Sequence, residues 1–345
     1  MTKIAINGLG RIGRAFLKIA MTEEKFKNEF QVVAINDLGN CENLAYLLKY
    51  DTAYGRSPLS VEVEDSFLVV NSQKIKFTQI KDPTQLPWGE LGVDIVLEST
   101  GVFNSYAKSK VHLEAGAKRV VISAPVKDNP EDSGVIGATV LMGLNEDKLK
   151  TCSITSNASC TTNSASPIIA ILDEAIGIEK ALLNTVHGYT ASQKLVDSPD
   201  AKDFRRGRAA AQNIIPSTTG AAVAITQVAT QLKDKFDGIA LRVPVITGSV
   251  ADITFIAKRD TTTEEVNDIL KSAAKEHRWE SVFAVTEEEL VSSDIIGSKY
   301  ASVADLGFTK VVGGNLVKVL AWYDNEVGYT YSLADHMLKI SDILK

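Results

Sequence analysis

Short apolar runs alternate with amphipathic stretches through the first part of the chain. The first run, Ile4–Ile6, leads into a glycine-rich turn, and from Arg11 apolar residues recur on one face at helical spacing. A second run, Phe30–Asn36, follows that helical stretch. The pattern then predicts a helix at Leu44–Tyr50 and strands at Val93–Glu98 and Arg119–Ser123. Because strands that alternate with helices typically form a parallel sheet, we expect an α/β domain here.

The second part of the chain carries further strand-like runs. Ala181–Val186 and Ile239–Pro244 are mostly apolar and predict strands, and Val311–Val317 predicts a hairpin that turns at two glycines. A final helix is predicted by an apolar stripe with a spacing of three to four residues, formed by Leu333, Met337, Ile340 and Leu344.

Bulk properties narrow the class of protein. A chain of 345 residues is too long for one ordinary core, so two domains are expected. The net charge of −6 provides no basic field to recruit nucleic acid. The sequence shows no apolar stretch of membrane-spanning length and no signal peptide, so we expect no membrane partner. Three cysteines make neither a disulfide framework nor a metal-ligand pattern, which favours a reducing cytoplasm and no metal.

The glycine-rich turn at Gly8–Gly13 has the spacing of a dinucleotide-binding fingerprint, between a strand and a helix. Gly8 permits the tight turn, Gly10 lets the backbone approach a pyrophosphate, and Gly13 allows close packing of helix on strand. Asp37 ends the next strand, where a carboxylate accepts hydrogen bonds from ribose hydroxyls and repels a 2′-phosphate. The alternative is a glycine-rich turn that binds nothing.

Loop residues after the later strands are candidates for the nicotinamide ribose side of that site. Ligands of open parallel sheets bind at the carboxyl ends of the strands. The candidates at those positions are Ser99, Thr100, Phe103 and Ser123. Taken singly, each is equally compatible with an ordinary loop residue.

The octet Ser156–Asn163 places Cys160 among small polar residues rather than among core residues. Hydroxyls, amides and backbone N–H groups are what a reactive thiol needs, so Cys160 is a candidate nucleophile. His187 ends a predicted strand and is its candidate partner, expected to lower the cysteine pKa towards neutrality. The other histidines are interpreted as structural or solvated: His112, His277 and His336.

Arginines and hydroxyls in the second half indicate anion binding. Arg242 lies in an apolar strand and needs an anionic partner, which is either a carboxylate or a bound phosphate. Arg205–Arg208 precedes a predicted alanine-rich helical stretch and could equally be a solvated face or a subunit contact. Ser217–Gly220 adds hydroxyls and a flexible backbone.

With these motifs in place, the chain resembles phosphorylating glyceraldehyde-3-phosphate dehydrogenases along essentially its whole length. The matching segments are Asn7–Arg14, Asn36–Leu38, Leu44–Asp51, Ser99–Phe103, Val121–Pro125, Ser156–Asn163, His187–Thr190, Arg205–Ala211, Ser217–Ala222, Arg242–Pro244 and Trp322–Tyr329. The resemblance implies an α/β fold. It predicts an N-terminal Rossmann dinucleotide-binding domain at 1–159, completed by a C-terminal helix at 325–345. An α+β catalytic domain with a mainly antiparallel sheet is expected at 160–324.

The resemblance also implies roles for single residues. Cys160 is expected to attack the aldehyde, and His187 is expected to activate it and move protons. The expected cofactor-binding residues are Gly8, Gly10, Arg11, Ile12, Gly13, Asp37, Ser99, Thr100, Phe103, Ser123 and Asn325. The residues expected to hold the substrate phosphate or inorganic phosphate are Ser159, Thr161, Thr190, Arg206, Thr219, Gly220 and Arg242.

The partners implied are glyceraldehyde 3-phosphate, inorganic phosphate and three further copies of the chain in a homotetramer, with the loop from about Gly188 to Arg206 crossing a subunit interface. Asp37 and Leu38 favour NAD as cofactor, while Ser198 leaves weaker use of NADP open. Alternatives are an erythrose-4-phosphate dehydrogenase, in which water resolves the thioester, and an NAD-binding scaffold with a second role. A cofactor-free thiol hydrolase would leave the glycine fingerprint unexplained.

Overall fold

The computed structural model describes residues 1–201 and 203–345. The chain forms two compact units. The first contains residues 1–140, 145–158 and 333–345, and the second contains residues 141–144 and 159–332. Within the described ranges, no helix combines the length and the apolar character needed to cross a membrane.

The first unit is built on a nine-stranded sheet with the strand order β10-β11-β9-β8-β1-β2-β7-β6-β5. Its strands are β1 Thr2–Asn7, β2 Phe30–Asn36, β3 Tyr50–Asp51, β4 Gly55–Arg56, β5 Val61–Glu64, β6 Phe67–Val70, β7 Gln73–Thr78, β8 Ile95–Glu98, β9 Arg119–Ile122, β10 Gly137–Thr139 and β11 Ile154–Ser156. Its helices are α1 Arg11–Thr22, α2 Glu24–Lys27, α3 Cys41–Lys49, α4 Trp88–Leu91 and α5 Tyr106–Glu114. Strands β3 and β4 form a separate two-stranded sheet.

The predicted parallel sheet is confirmed from β10 to β7, where every neighbouring pair is parallel. Strands β5 and β6 extend it with antiparallel pairs that the sequence pattern did not single out. Helix α3 begins at Cys41, three residues earlier than predicted, because the Asn40 side chain caps it by accepting a hydrogen bond from the Asn43 N–H at 2.9 Å.

The register of the parallel strands brings their polar ends into one row. Asn7 at the end of β1 lies opposite Asn36 on one side and Glu98 on the other. All three side chains are buried. The loops that follow these strands therefore leave the sheet together at its carboxyl edge, where nucleotides bind in folds of this type.

The second unit is built on a seven-stranded sheet with the order β13-β14-β12-β15-β18-β17-β16. Its strands are β12 Ile178–Gly188, β13 Ile215–Thr218, β14 Phe236–Val243, β15 Ser249–Ala257, β16 Phe283–Thr286, β17 Ser302–Val312 and β18 Leu316–Tyr323. Its helices are α6 Cys160–Ile176, α7 Ala221–Thr226 and α8 Thr263–Ala273. The β12–β14 and β16–β17 pairs are parallel and the other four are antiparallel, which confirms the mainly antiparallel sheet.

The last helix, α9, spans Val327–Leu344 and passes from the second unit into the first, to which residues 333–345 belong. Its predicted stripe is buried at Leu333, Met337 and Ile340. The predicted hairpin at the two glycines joins β17 to β18.

Two local predictions are wrong. The stretch after Arg208 is a short 3₁₀ turn, Ala210–Gln212, because the Ala210 N–H bonds the Lys194 carbonyl and tertiary contacts override alanine's helix preference. His277 lies in an exposed turn beyond the end of α8, not in a helix.

Candidate functional site

Cys160 is the first residue of helix α6. Ser159 caps that helix, because its Oγ accepts a hydrogen bond from the Thr162 N–H at 3.1 Å. The residue before the cap, Ala158, is buried and has a left-handed φ of 54°. A helix N-terminus carries a partial positive charge, which lowers the energy of a thiolate at this position.

His187 reaches the thiol from strand β12. Its Nε2 lies 3.3 Å from the Cys160 Sγ, and the imidazole is almost completely buried. The structure thus brings together the two residues that the sequence proposes as nucleophile and base. Nothing in their separation of 27 positions along the chain predicts this contact, which the fold alone creates.

Arg242 lies beside His187 on the neighbouring parallel strand β14, where the two residues are direct register partners. The Arg242 Nη1 and the Gly188 carbonyl oxygen both lie 2.6 Å from the His187 Nδ1. A guanidinium only donates and a carbonyl only accepts, so one imidazole nitrogen cannot satisfy both at once. This geometry is therefore compatible with either of two ring forms, one with a lone pair at Nδ1 facing Arg242 and one with a proton at Nδ1 facing the Gly188 carbonyl.

Burial and the Arg242 charge keep His187 neutral. Burial is the larger cause, and together they lower the His187 pKa to about 3. The pKa of Cys160 is raised, because the burial of its thiol outweighs the charge of Arg242, which stabilises the thiolate. The expected shift of the cysteine pKa towards neutrality is therefore not found in this arrangement, since a neutral imidazole supplies no positive charge.

A second buried histidine behaves in the same way, which gives a pH prediction. Burial also lowers the pKa of His336 to about 3. A histidine in the unfolded chain has a pKa of about 6.5. Below that pH, the unfolded chain binds protons at these two histidines that the folded chain does not bind. As the pH is lowered from 6.5 to 3, we therefore expect the free energy of unfolding to fall by about 1.4 kcal/mol per pH unit for each of the two histidines.

Chemical denaturation at pH 7 and at pH 5 measures this slope. His277→Ala is the matched control, because it removes an exposed histidine and leaves the two buried ones in place, so the slope that they cause should persist. A free energy of unfolding that does not change over this range would contradict the neutral, buried state of His187 and His336.

Two arginines of the second unit have buried N–H groups without a partner among the residues described. The Nε atoms of Arg206 and Arg242 are both in this state. Arg206 donates its Nη2 to the Ser217 Oγ at 3.2 Å. Burial lowers the pKa of Arg242, and the nearby charge of Arg206 acts in the same direction. Two close cations with unused donors fit an anionic ligand better than the buried ion pair that the sequence left open.

Tyr323 is a site residue that the sequence did not single out. Its hydroxyl lies 2.9 Å from the Thr161 Oγ1 and 2.7 Å from the Thr185 Oγ1, and its ring meets His187 edge-on. Burial raises its pKa, so it stays protonated and can orient Thr161 in the first turn of α6. Only its place at the end of an apolar strand could have indicated it.

The other predicted phosphate-binding residues make local hydrogen bonds. The Thr190 Oγ1 contacts the Ser192 Oγ at 2.9 Å, and the Thr219 Oγ1 accepts from the Ala221 N–H at 3.2 Å. Gly220 is exposed at the start of α7. These contacts do not involve Cys160 or His187.

The glycine-rich turn of the first unit borders a cavity of about 500 Å³. Of the predicted cofactor-binding residues, those that line it are Gly8, Gly10, Asp37, Ser99, Thr100 and Phe103. Gly8 has a φ of 98°, and a Cβ there would lie 2.7 Å from the Thr100 nitrogen. A Cβ on Gly13 would lie 2.2 Å from the Gly8 oxygen, whereas one on Gly10 would meet nothing within 4 Å. The fingerprint glycines thus keep the backbone tight at two positions and open at the third.

The remaining predicted cofactor residues lie elsewhere. Arg11 and Ile12 begin helix α1, and Arg11 pairs with Asp51 at 2.6 Å instead of lining the cavity. Ser123 follows β9, and its N–H donates to the carbonyl of Glu98, the last residue of the neighbouring strand β8. Asn325 is buried in the second unit, where its Oδ1 accepts from the Ser249 Oγ at 2.8 Å.

A buried carboxylate that the sequence did not single out holds two of the residues that line the cavity, Asn7 and Thr100. Glu98 accepts hydrogen bonds from the Asn7 Nδ2 at 2.6 Å and from the Thr100 N–H at 2.8 Å. His112 contacts its other side, with its Nε2 3.1 Å from the Glu98 Oε2. His112 is fully buried, which agrees with its interpretation as a structural rather than a catalytic residue.

Comparisons with known proteins match both units. The family model described as the glyceraldehyde 3-phosphate dehydrogenase NAD binding domain matches residues 2–106, and that for the C-terminal domain matches residues 159–325. Proteins named glyceraldehyde-3-phosphate dehydrogenase are similar over nearly their full length. The one from Thermotoga maritima is 48% identical over 97% of this chain and 98% of its own. The one from Streptomyces coelicolor is 46% identical over 96% of both chains. The one from Clostridium pasteurianum is 45% identical over 100% of both chains.

Proposed function

The chain belongs to the glyceraldehyde-3-phosphate dehydrogenase family, and from this premise we propose that it oxidises glyceraldehyde 3-phosphate with NAD and inorganic phosphate. The product is 1,3-bisphosphoglycerate, formed through a thioester on Cys160. The observation that carries this proposal is the 3.3 Å contact between the Cys160 Sγ and the His187 Nε2, with Arg242 in contact with the His187 ring and Arg206 near Arg242.

The two states of the His187 ring give the first proton transfer a trigger. While Arg242 donates to the His187 Nδ1, that nitrogen has no proton, and in the neutral ring Nε2 carries it. An anionic substrate that draws Arg242 away lets the ring release its Nε2 proton to solvent and take one up at Nδ1, which then donates to the Gly188 carbonyl. The Nε2 is then free to accept the Cys160 proton, and the substrate phosphate helps to create the thiolate that attacks it.

The later steps use the same groups. The thiolate adds to the aldehyde carbon, and the Cys160 N–H together with the protonated Nε2 of His187 stabilises the oxyanion. The Nε2 proton then passes to the oxyanion and gives the hydroxyl of a thiohemiacetal. As hydride leaves that carbon, His187 takes the hydroxyl proton back, and a thioester remains on Cys160. Inorganic phosphate then attacks the thioester, expels the thiolate and leaves as the acyl phosphate. We propose that Ser159, Thr161, Thr190, Arg206, Thr219, Gly220 and Arg242 hold the two phosphates.

The first unit fits a dinucleotide. The tight Gly8–Gly13 packing, the open backbone at Gly10 and the carboxylate of Asp37 are the features that a pyrophosphate and a ribose require. When bound, NAD supplies the hydride acceptor. The residues proposed to hold it are Gly8, Gly10, Arg11, Ile12, Gly13, Asp37, Ser99, Thr100, Phe103, Ser123 and Asn325. In this proposal residues 1–159 and helix 325–345 serve the cofactor, and residues 160–324 serve catalysis.

Cofactor reduction measured with and without inorganic phosphate tests the function. We expect phosphate to stimulate turnover on glyceraldehyde 3-phosphate, because it resolves the thioester. Turnover on erythrose 4-phosphate without phosphate stimulation would favour the water-resolved reaction instead. NAD binding with no turnover on either aldehyde would favour the scaffold role.

We expect NAD to be preferred over NADP. Both carboxylate oxygens of Asp37 accept hydrogen bonds from backbone N–H groups, from Leu9 at 2.7 Å and from Gly39 at 2.8 Å. These bonds hold the carboxylate in place at the cavity wall. A 2′-phosphate at that wall would meet like charge. The ratio of kcat/KM for the two cofactors measures the preference, and equal values would contradict it. Asp37→Ser should shift this ratio towards NADP.

We further propose that the chain is a cytoplasmic homotetramer that does not engage nucleic acid or membranes. Its three cysteines are unpaired and its net charge is −6. The loop expected to cross a subunit interface exposes three large apolar side chains, Leu195, Val196 and Phe204. Mass measurement in solution tests the tetramer.

A further inference from the structure

His336 is a buried histidine that the reaction above does not use. It lies in α9 with no exposed surface, in the part of the helix that belongs to the first unit. Its Nε2 is 2.8 Å from the Thr155 Oγ1, and its Nδ1 is 3.1 Å from the Asn157 Oδ1. Both partners belong to the segment that leads directly into Cys160.

The hydrogen bonds define one form of the His336 ring. An amide oxygen can only accept, so the Nδ1 must carry a proton and donate it to Asn157. The Nε2 is then the lone-pair nitrogen, which accepts from the Thr155 hydroxyl. Since the neutral ring satisfies both contacts, His336 is oriented from two sides and in turn fixes the Asn157 side chain.

The segment that His336 contacts contains a backbone conformation that needs support. Ala158 follows Asn157 and has a φ of 54°, in the left-handed region, which costs an alanine about 1–2 kcal/mol. Such a conformation persists only where neighbouring contacts determine it. The Ala158 N–H bonds the Ser156 Oγ at 3.0 Å, and the Asn157 N–H bonds the Ile122 carbonyl at 3.0 Å.

The direction of the chain at Ala158 determines where helix α6 begins. Ser159, the cap of that helix, follows immediately, and Cys160 is the next residue. A change of φ at Ala158 to the ordinary right-handed region would turn the peptide that leads into the cap. The thiol would then move relative to its neighbours in the site.

We propose that His336 is a positioning residue for the nucleophile, which acts through Asn157 to hold the left-handed turn at Ala158 and so the start of α6. The inference rests on the proposed function only in taking Cys160 as the nucleophile. Its test therefore reads the reactivity of the thiol, which is measurable whether or not the chain turns over glyceraldehyde 3-phosphate.

The test is alkylation of Cys160 by iodoacetamide at neutral pH in the full chain, followed by mass spectrometry of the Cys160 peptide. We expect His336→Leu, which keeps the apolar bulk and removes both hydrogen bonds, to slow alkylation by roughly tenfold, as a displaced reactive group does. Alkylation of Cys41 in the same samples reports on general exposure and should stay at the parent rate.

Ser341→Ala is the matched control. It removes another buried hydrogen bond of the same helix, between the Ser341 Oγ and the Thr2 Oγ1 at 2.5 Å, without contact to the 155–158 segment. It should lower stability but leave Cys160 alkylation as in the parent. An equal loss of Cys160 reactivity in both variants would reduce His336 to a general stabilising role and overturn the proposal.

Thr155→Val keeps the test valid if His336→Leu does not fold. It removes the hydroxyl that orients the His336 Nε2 and should slow Cys160 alkylation in the same direction, by less. Parent-like alkylation in a folded His336→Leu protein, or in Thr155→Val when that is the variant available, would overturn the proposal. A parent chain that lacks turnover on glyceraldehyde 3-phosphate would affect the proposed function and leave this comparison intact.

Discussion

Cys160→Ser is expected to abolish oxidation of glyceraldehyde 3-phosphate while NAD binding stays at the parent level. A serine hydroxyl is a far weaker acid than a thiol, so the His187 imidazole that accepts a proton from Cys160 would accept one from serine far less readily. The serine Oγ would also hold an ester, which inorganic phosphate attacks less readily than a thioester. We expect turnover to fall by roughly 10⁴-fold or more, because the covalent route is lost.

Two measurements separate loss of chemistry from loss of the fold. Cofactor reduction gives turnover, and a fluorescence titration with NAD gives the dissociation constant of the first unit's site. Cys152→Ser is the matched control, since Cys152 is a buried thiol of the first unit that contacts neither His187 nor Arg242. Turnover near the parent value in Cys160→Ser would rule out the thioester.

His187→Asn is expected to cost roughly 10²–10⁴ in kcat, the usual contribution of a general base. Asparagine retains hydrogen bonding near Arg242 and Gly188 but cannot take up a proton. The loss should fall mainly on kcat, because the arginines that bind the phosphates remain. Alkylation of Cys160 by iodoacetamide should also slow, since no base is left to share the thiol proton.

His277→Ala provides the comparison for this variant, because it removes an exposed histidine that is remote from the chemistry in sequence and in its contacts. It should leave kcat and alkylation unchanged. A Cys160 alkylation rate in His187→Asn equal to that of the parent would remove His187 as the activator of the thiol. Loss of activity in His277→Ala would indicate that the assay responds to something other than the site.

The sequence predicts the first unit well because its signals are local. The strand at Phe30–Asn36 has the predicted bounds, and Gly13 is demanded by a contact with Gly8 in the same turn. Gly8 is demanded by its own φ of 98°. Such features are determined by residues that are close together in the sequence, through their apolar spacing and their turn preferences. Strand β5 at the sheet edge was missed, since four residues with two exposed glutamates resemble a loop, and β6 is an apolar run of only four residues.

The site could be predicted by residue type and not by geometry. Arg242 meets His187 because strands β12 and β14 are neighbours in register, although the two residues are 55 positions apart. Strand order is a global property that local patterns do not contain. The same reason explains the error on the pKa of Cys160, which depends on how much protein surrounds the thiol rather than on the identity of its partner.

The passage of helix α9 between the two units has a consequence for the order in which the chain can fold. Residues 333–345 complete the first unit, where Lys25 pairs with Asp335 and Thr2 contacts Ser341. These partners leave the ribosome more than three hundred positions after the strands and helices they contact. Domains generally fold as units during synthesis, from the N-terminus onward. Here the first unit is completed only by residues 333–345, and the second unit, which does not contain them, can be complete before it.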